Sequence, residues 1–171
     1  MNGIADCSHL AVGPMQRTAA EGRDLLRRLE AFCQAYGGEC YAGWPPSMLR
    51  DYLVWHATEA TLSWACAGKR VIGVGVLYPC DEVELRTAHR MGENVFCYRP
   101  LDWTEDSVYL ADFIATEPGV LAGLLRSFWE RFPQGRSKKW FCHRREKLIE
   151  LKGSKYVGLI GLPKGDTYGE Y

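Results

Sequence analysis

The sequence lacks net charge: Lys plus Arg is 21 and Asp plus Glu is 21 among 171 residues. A chain without a basic excess has no electrostatic footprint for nucleic-acid phosphates or an anionic membrane surface, so neither is an expected partner. It also lacks any apolar run near the roughly 20 residues that cross a bilayer. Met1 to Pro14 carry neither the basic nor the apolar segment of a secretory signal. There is no internal repeat, no low-complexity tract and no linker that would divide the chain. CxxC pairs are missing, and the seven cysteines are an odd number for a disulfide framework. Reduced thiols acting as small core hydrophobes in a cytoplasmic protein are the expectation. Cys142 and His143, the nearest approach to a zinc pair, are adjacent and point to opposite faces of a strand. No metal is expected.

What is present is apolar and aromatic: 47% hydrophobic residues with six Trp, too many for a disordered regulator. Residues 1–18 form an N-terminal arm broken by Gly3, Gly13 and Pro14. Leu25, Leu26, Leu29, Phe32, Cys33 and Tyr36 recur at three and four, predicting an amphipathic helix over 19–36 that stops at Gly37-Gly38. Pro45-Pro46-Ser47 starts a second helix, with Met48, Leu49, Tyr52, Leu53 and His56 on one face. Residues 61–67 and 71–78 read as a β-hairpin joined by Gly68-Lys69-Arg70 and closed by Pro79. The insertion at 80–106 holds a short helix over 81–91, a short strand over 94–98 and a loop. Val108 to Ala115 is a strand, followed by a helix ending at Pro133 and a strand over 138–143. Residues 147–152 suit a strand or a short helix, and 153–171 form an extended tail. The strand–helix–strand unit Val108–Cys142 places its strands parallel in one sheet. The expected class is α+β: a central mixed sheet flanked by helices, in one domain over 19–152.

The order of elements, the hairpin ending Val71-Ile-Gly-Val-Gly-Val76, and two stretches of side chains carry a resemblance. The stretches are Leu110-Ala-Asp-Phe-Ile-Ala115 and Glu130-Arg-Phe-Pro133. In these the chain resembles the GNAT-like acyltransferase superfamily, nearest to its toxin-activating lysine acyltransferases. That resemblance implies transfer of an acyl group from acyl carrier protein or acyl-CoA to an amine, with no permanently bound cofactor. It implies a catalytic strand aspartate, which maps onto Asp112. The family's histidine has no counterpart, because the matching stretch reads Cys40-Tyr41-Ala42-Gly43. The glycine motif that binds the donor's pyrophosphate is replaced by Thr116-Glu-Pro-Gly-Val120. The alternative is a non-catalytic binding or structural protein, of phage or mobile-element type, that has lost the donor site.

Asp112 stands alone among apolar residues, and strand alternation puts it on the face of Val108, Leu110 and Ile114. A carboxylate in such a row has its pKa raised, as a general base requires, unless it pairs with an arginine or with backbone N–H groups. Ile114, Ala115, Thr116, Gly119 and Val120 are the candidate donor-binding residues, because a turn and helix start end the strand there. Against them stands plain capping of that helix by Thr116 or Glu117. His143 is the second catalytic candidate, lying close to Asp112 if the two strands are neighbours. His56 reads as a packed residue, and His9 and His89 as solvated ones. The basic stretch 136–147 is a docking face for an acidic acyl carrier protein or protein acceptor, or simply a solvated surface.

Overall fold

The computed structural model describes residues 19–38, 41, 43–92, 101–144 and 147–151. The arm at 1–18, the strand expected at 94–98 and the tail from 153 lie outside the described residues. The elements run α1 (Ala19–Tyr36), α2 (Pro46–Thr58), β1 (Leu62–Ala67), β2 (Arg70–Cys80), α3 (Glu82–Met91), β3 (Ser107–Ala115), α4 (Val120–Arg131), β4 (Lys139–Arg144) and β5 (Lys147–Glu150). A 3-10 turn over Pro133–Ser137 joins α4 to β4. The five strands lie in chain order, and only β3 and β4 are parallel. Their crossover is α4, as the strand–helix–strand reading requires. The fold is a mixed α+β sheet with helices on both faces, and 147–150 resolves as strand.

Local chemistry explains the boundaries. Pro45 precedes α2, and Pro46 takes its first position, where no N–H is needed. Asp81 caps α3 by accepting the Glu84 N–H at 2.8 Å, and Gly92 closes that helix at φ 69°. The hairpin turn is Gly68-Lys69, with Gly68 at φ 60° and Arg70 already paired with Ala67. Pro79 does not end β2, which continues to Cys80. The Leu77 N–H reaches Thr61 on the β1 side, and Pro79, two residues on, presents its missing donor to the same edge, beyond the end of β1.

Each face of the sheet has its own core. Leu25, Leu29, Phe32 and Cys33 of α1, Leu49 and Leu53 of α2 and Leu85 of α3 pack on Val74, Val76, Tyr78, Tyr109 and Phe141. Leu125, Phe128 and Trp129 of α4 pack on Leu77, Val108, Leu110 and Trp140. Nearer the start of α4, Val120 and Leu124 pack on Ala65 and Ile72. The close approach of α4 depends on Gly73, where an added Cβ would lie 2.3 Å from Val120 Cγ1 and 3.3 Å from the Ile114 carbonyl. Gly73→Ala is therefore expected to cost about 1–3 kcal/mol by overpacking. Combining it with Val120→Ala should recover part of the loss in urea denaturation, and equal stabilities of G73A and wild type would refute the close approach.

Candidate functional site

β3 is not a regular strand. Val76 pairs with Asp112 and Leu77 pairs with Leu110, so Ala111 is an additional residue and forms a β-bulge. The bulge resets the alternation. Val108 and Leu110 belong to the α4 side, whereas Ala111 and Ile114 join the core under α1 and α2. Asp112 therefore does not share a face with Val108 and Leu110; its carboxyl turns toward α2.

Bulges bend a strand and end pairing. The described pairing of β3 with β4 runs from Ser107 with Lys139 to Leu110 with Cys142 and stops there. β3 continues to Ala115 and β4 to Arg144, beyond the last shared rung. The two parallel strands thus part beside Asp112.

Around the carboxyl the lining is aromatic. The Tyr52 hydroxyl donates a short hydrogen bond to Asp112 Oδ2, and the Tyr41 hydroxyl also favours the carboxylate. Trp44 stands edge-on to both rings, at 5.4 Å from Tyr41 and 5.3 Å from Tyr52. Burial pushes the Asp112 pKa up, and the two phenols oppose it without cancelling it. Burial, then Asp112, raises the Cys33 thiol to about 12, so it stays protonated and unreactive. Burial and then Asp112 likewise hold the Tyr52 phenol well above its usual range.

Behind Tyr52 lies His56, completely buried and one helical turn further along α2. Its Nδ1 lies 2.7 Å from Thr61 Oγ1 and its Nε2 2.6 Å from the Tyr78 hydroxyl. Burial lowers its pKa to about 3, so the ring is neutral and needs one donor and one acceptor. Two hydroxyls supply them. The packed-histidine reading matches this placement.

His143 is placed elsewhere. Its Nδ1 meets the Tyr109 hydroxyl at 2.6 Å, and its Nε2 meets His89 Nδ1 at 2.8 Å. Partial desolvation, and secondarily His89, lower its pKa. The contacts of Asp112 and His143 do not join them, although both lie on the side of the sheet facing α1–α3. His89 is no solvated bystander; it closes this tyrosine–histidine–histidine chain and lines a groove of about 280 Å³ with Val83, Arg86, Arg90 and Leu148. Among the described residues no group of three or more His, Cys, Asp or Glu is placed to hold a metal.

The turn after β3 differs from the capping expectation. Thr116 directs both its N–H and its hydroxyl to the Ile72 carbonyl, at 3.0 and 3.2 Å. Glu117 is drawn to Arg70, at 2.5 Å, and α4 opens on Gly119 at φ 81° with no side-chain cap. Val120 is buried against Gly73, Ile114 pairs with Val74, and Ala115 pairs with Gly73. The first-turn N–H groups of α4 are therefore left without a side-chain acceptor, the usual setting for a bound anion. In the basic stretch, Lys139 is paired with Glu82 at 2.5 Å and Lys138 donates to the Glu105 carbonyl. No helix among the described residues is long and apolar enough to cross a membrane.

No local pattern points to the tyrosines, because Tyr52 and Asp112 are 60 residues apart. The one available signal was Tyr52 and His56 sharing the inward face of an amphipathic helix. No protein-family model matches this chain, and no curated protein does. Among solved structures, PH1933 from Pyrococcus horikoshii OT3 is similar over 94% of this chain and 92% of its own length, at 15% identity and a TM-score of 0.46.

Proposed function

We propose that the chain is a GNAT-like N-acyltransferase that moves an acyl group from acyl carrier protein or acyl-CoA to an amine. The observation that carries this reading is the parting of β3 and β4 beside a bulge that presents Asp112. A thioester arm inserted between the strands would find unpaired strand edge on β3, and the uncapped start of α4 would face its phosphate. Glu117, which would repel that phosphate, has its charge answered by Arg70.

Asp112 serves as base. It first takes one proton from the acceptor ammonium, and the lone pair so freed on nitrogen attacks the thioester carbonyl. The C–N bond forms, the C–S bond breaks, and the departing sulfur takes the second nitrogen proton. A raised carboxyl pKa suits that task. His143, engaged by Tyr109 and His89, is given no step. The stretch 136–147 is assigned to docking an acidic carrier or protein acceptor, and the reaction to the cytoplasm.

The test is transfer from acyl-carrier-protein and acyl-CoA donors to a lysine peptide. Asp112→Asn is expected to lower the rate at least ~100-fold while retaining the fold. A true donor at a hundred times its Kd should stabilise the protein by about 2.7 kcal/mol. Full activity in D112N removes Asp112 from the mechanism. No transfer and no stabilisation by either donor would establish the non-catalytic binding or structural reading instead.

A further inference from the structure

We infer that Tyr52 is a positioning residue, which locks the carboxyl of the base Asp112 in place through one of its oxygens. The inference rests on the reading of Asp112 as base. Tyr52 donates to Oδ2, and the Tyr41 hydroxyl also favours the ionised carboxyl.

The tyrosine is itself immobilised. Its ring meets His56 edge to face at 4.5 Å and Trp44 at 5.3 Å, and the residue is only 5% exposed. His56 is tied to Thr61 at the start of β1 and to Tyr78 on β2. α2 is thus pinned to the sheet in depth and rotation one turn away from the contact with Asp112. A hydroxyl delivered from so constrained a ring fixes the carboxyl's torsion in a way that solvent could not.

The groups facing Asp112 are Cys33 from α1, Tyr52 from α2 and Tyr41 from the segment before it; Tyr78 of β2 adjoins Tyr52. Cys33 and Tyr52 have their ionisation pushed up and stay neutral near pH 7. The bond to Tyr52 favours the carboxylate, and its loss leaves burial less opposed. The Asp112 titration must then move to higher pH.

The experiment is Tyr52→Phe in the full chain, read by carboxyl carbon NMR of Asp112 and by the pH profile of acyl transfer. The expected result is a titration displaced to higher pH, an acidic limb displaced the same way, and kcat near pH 7 reduced about tenfold with KM for the acceptor little changed. An unmoved Asp112 titration overturns the proposal. Should Y52F not fold, Asp112→Asn gives the reciprocal reading, because the Tyr52 phenol, followed by ultraviolet absorbance, must then titrate at lower pH. An unchanged phenol titration is equally fatal. A displaced titration in a protein that transfers no acyl group would uphold the positioning and refute the acyltransferase reading; transfer with an unmoved titration would do the reverse.

Discussion

His56→Ala is expected to destabilise the protein by about 3–5 kcal/mol at pH 7, and by much less at pH 4. At neutral pH the substitution empties a site with no solvent exposure and leaves Thr61 and Tyr78 without their shared partner. A buried hydroxyl that loses its partner forfeits its desolvation energy as well as the bond. The pH dependence follows from the depressed imidazole. Its folded pKa is about 3, below the ~6.5 of an unfolded histidine, so between these values the unfolded chain binds the additional proton. The contribution is complete above about pH 6.5 and is lost as pH falls toward 3, amounting to roughly 3–5 kcal/mol. Asp112 acts in the opposite direction, since its raised folded pKa lets the native state take up its proton first. Comparing H56A with wild type at each pH removes that common effect. Urea midpoints at pH 7 and pH 4 provide the check, and a pH-independent difference would show that the ring is not held neutral.

Arg131→Met should cost about 2–4 kcal/mol, and Arg131→Lys should recover less than half of it. The guanidinium donates to the carbonyls of Ala60, Leu62 and Ser127, at 2.7, 3.0 and 3.2 Å, and to the Ser63 hydroxyl. Its plane lies 4.8 Å from the Phe128 centroid. Burial brings its pKa down to about 10, so it stays charged at neutral pH. One side chain on the last turn of α4 therefore serves the acceptors at the entry to β1, where Ala60 takes φ 58° without being glycine. Lysine has no planar fork and reaches one or two of these acceptors at most. Methionine fills the stem and supplies none. Denaturation midpoints measure the cost, and hydrogen exchange at Leu62 and Ser63 should accelerate more than exchange in β4. Wild-type stability in R131M would mean that water replaces these contacts freely.

The periodic elements were legible because their signals are local. Leu25 to Tyr36 shows one face of a helix, and residues 61–78 alternate around a glycine turn. The parallel crossover through α4 followed from chain order. Asp112 was conspicuous as the one carboxylate in an apolar strand, but its face was misread. Tyr109-Leu-Ala-Asp-Phe-Ile114 is apolar on both sides, so an added residue leaves no mark on its pattern. The capping of α4 was misread for a different reason. Thr116 and Glu117 are good caps by composition, yet Ile72 and Arg70, more than 40 positions away, captured them. Long-range partners, such as Tyr52 for Asp112 and His89 for His143, obey no spacing rule and became visible only in three dimensions.

The additional residue at Ala111 also constrains how this strand can change through evolution. Excising it would leave Leu110 facing α4 and Asp112 facing α2, because the bulge itself absorbs the extra residue and strict alternation returns the same faces. What such a deletion would remove is the local bend of the strand. Point substitutions can tune the carboxyl's surroundings by degrees, whereas one lost codon would straighten the strand beside it at a stroke.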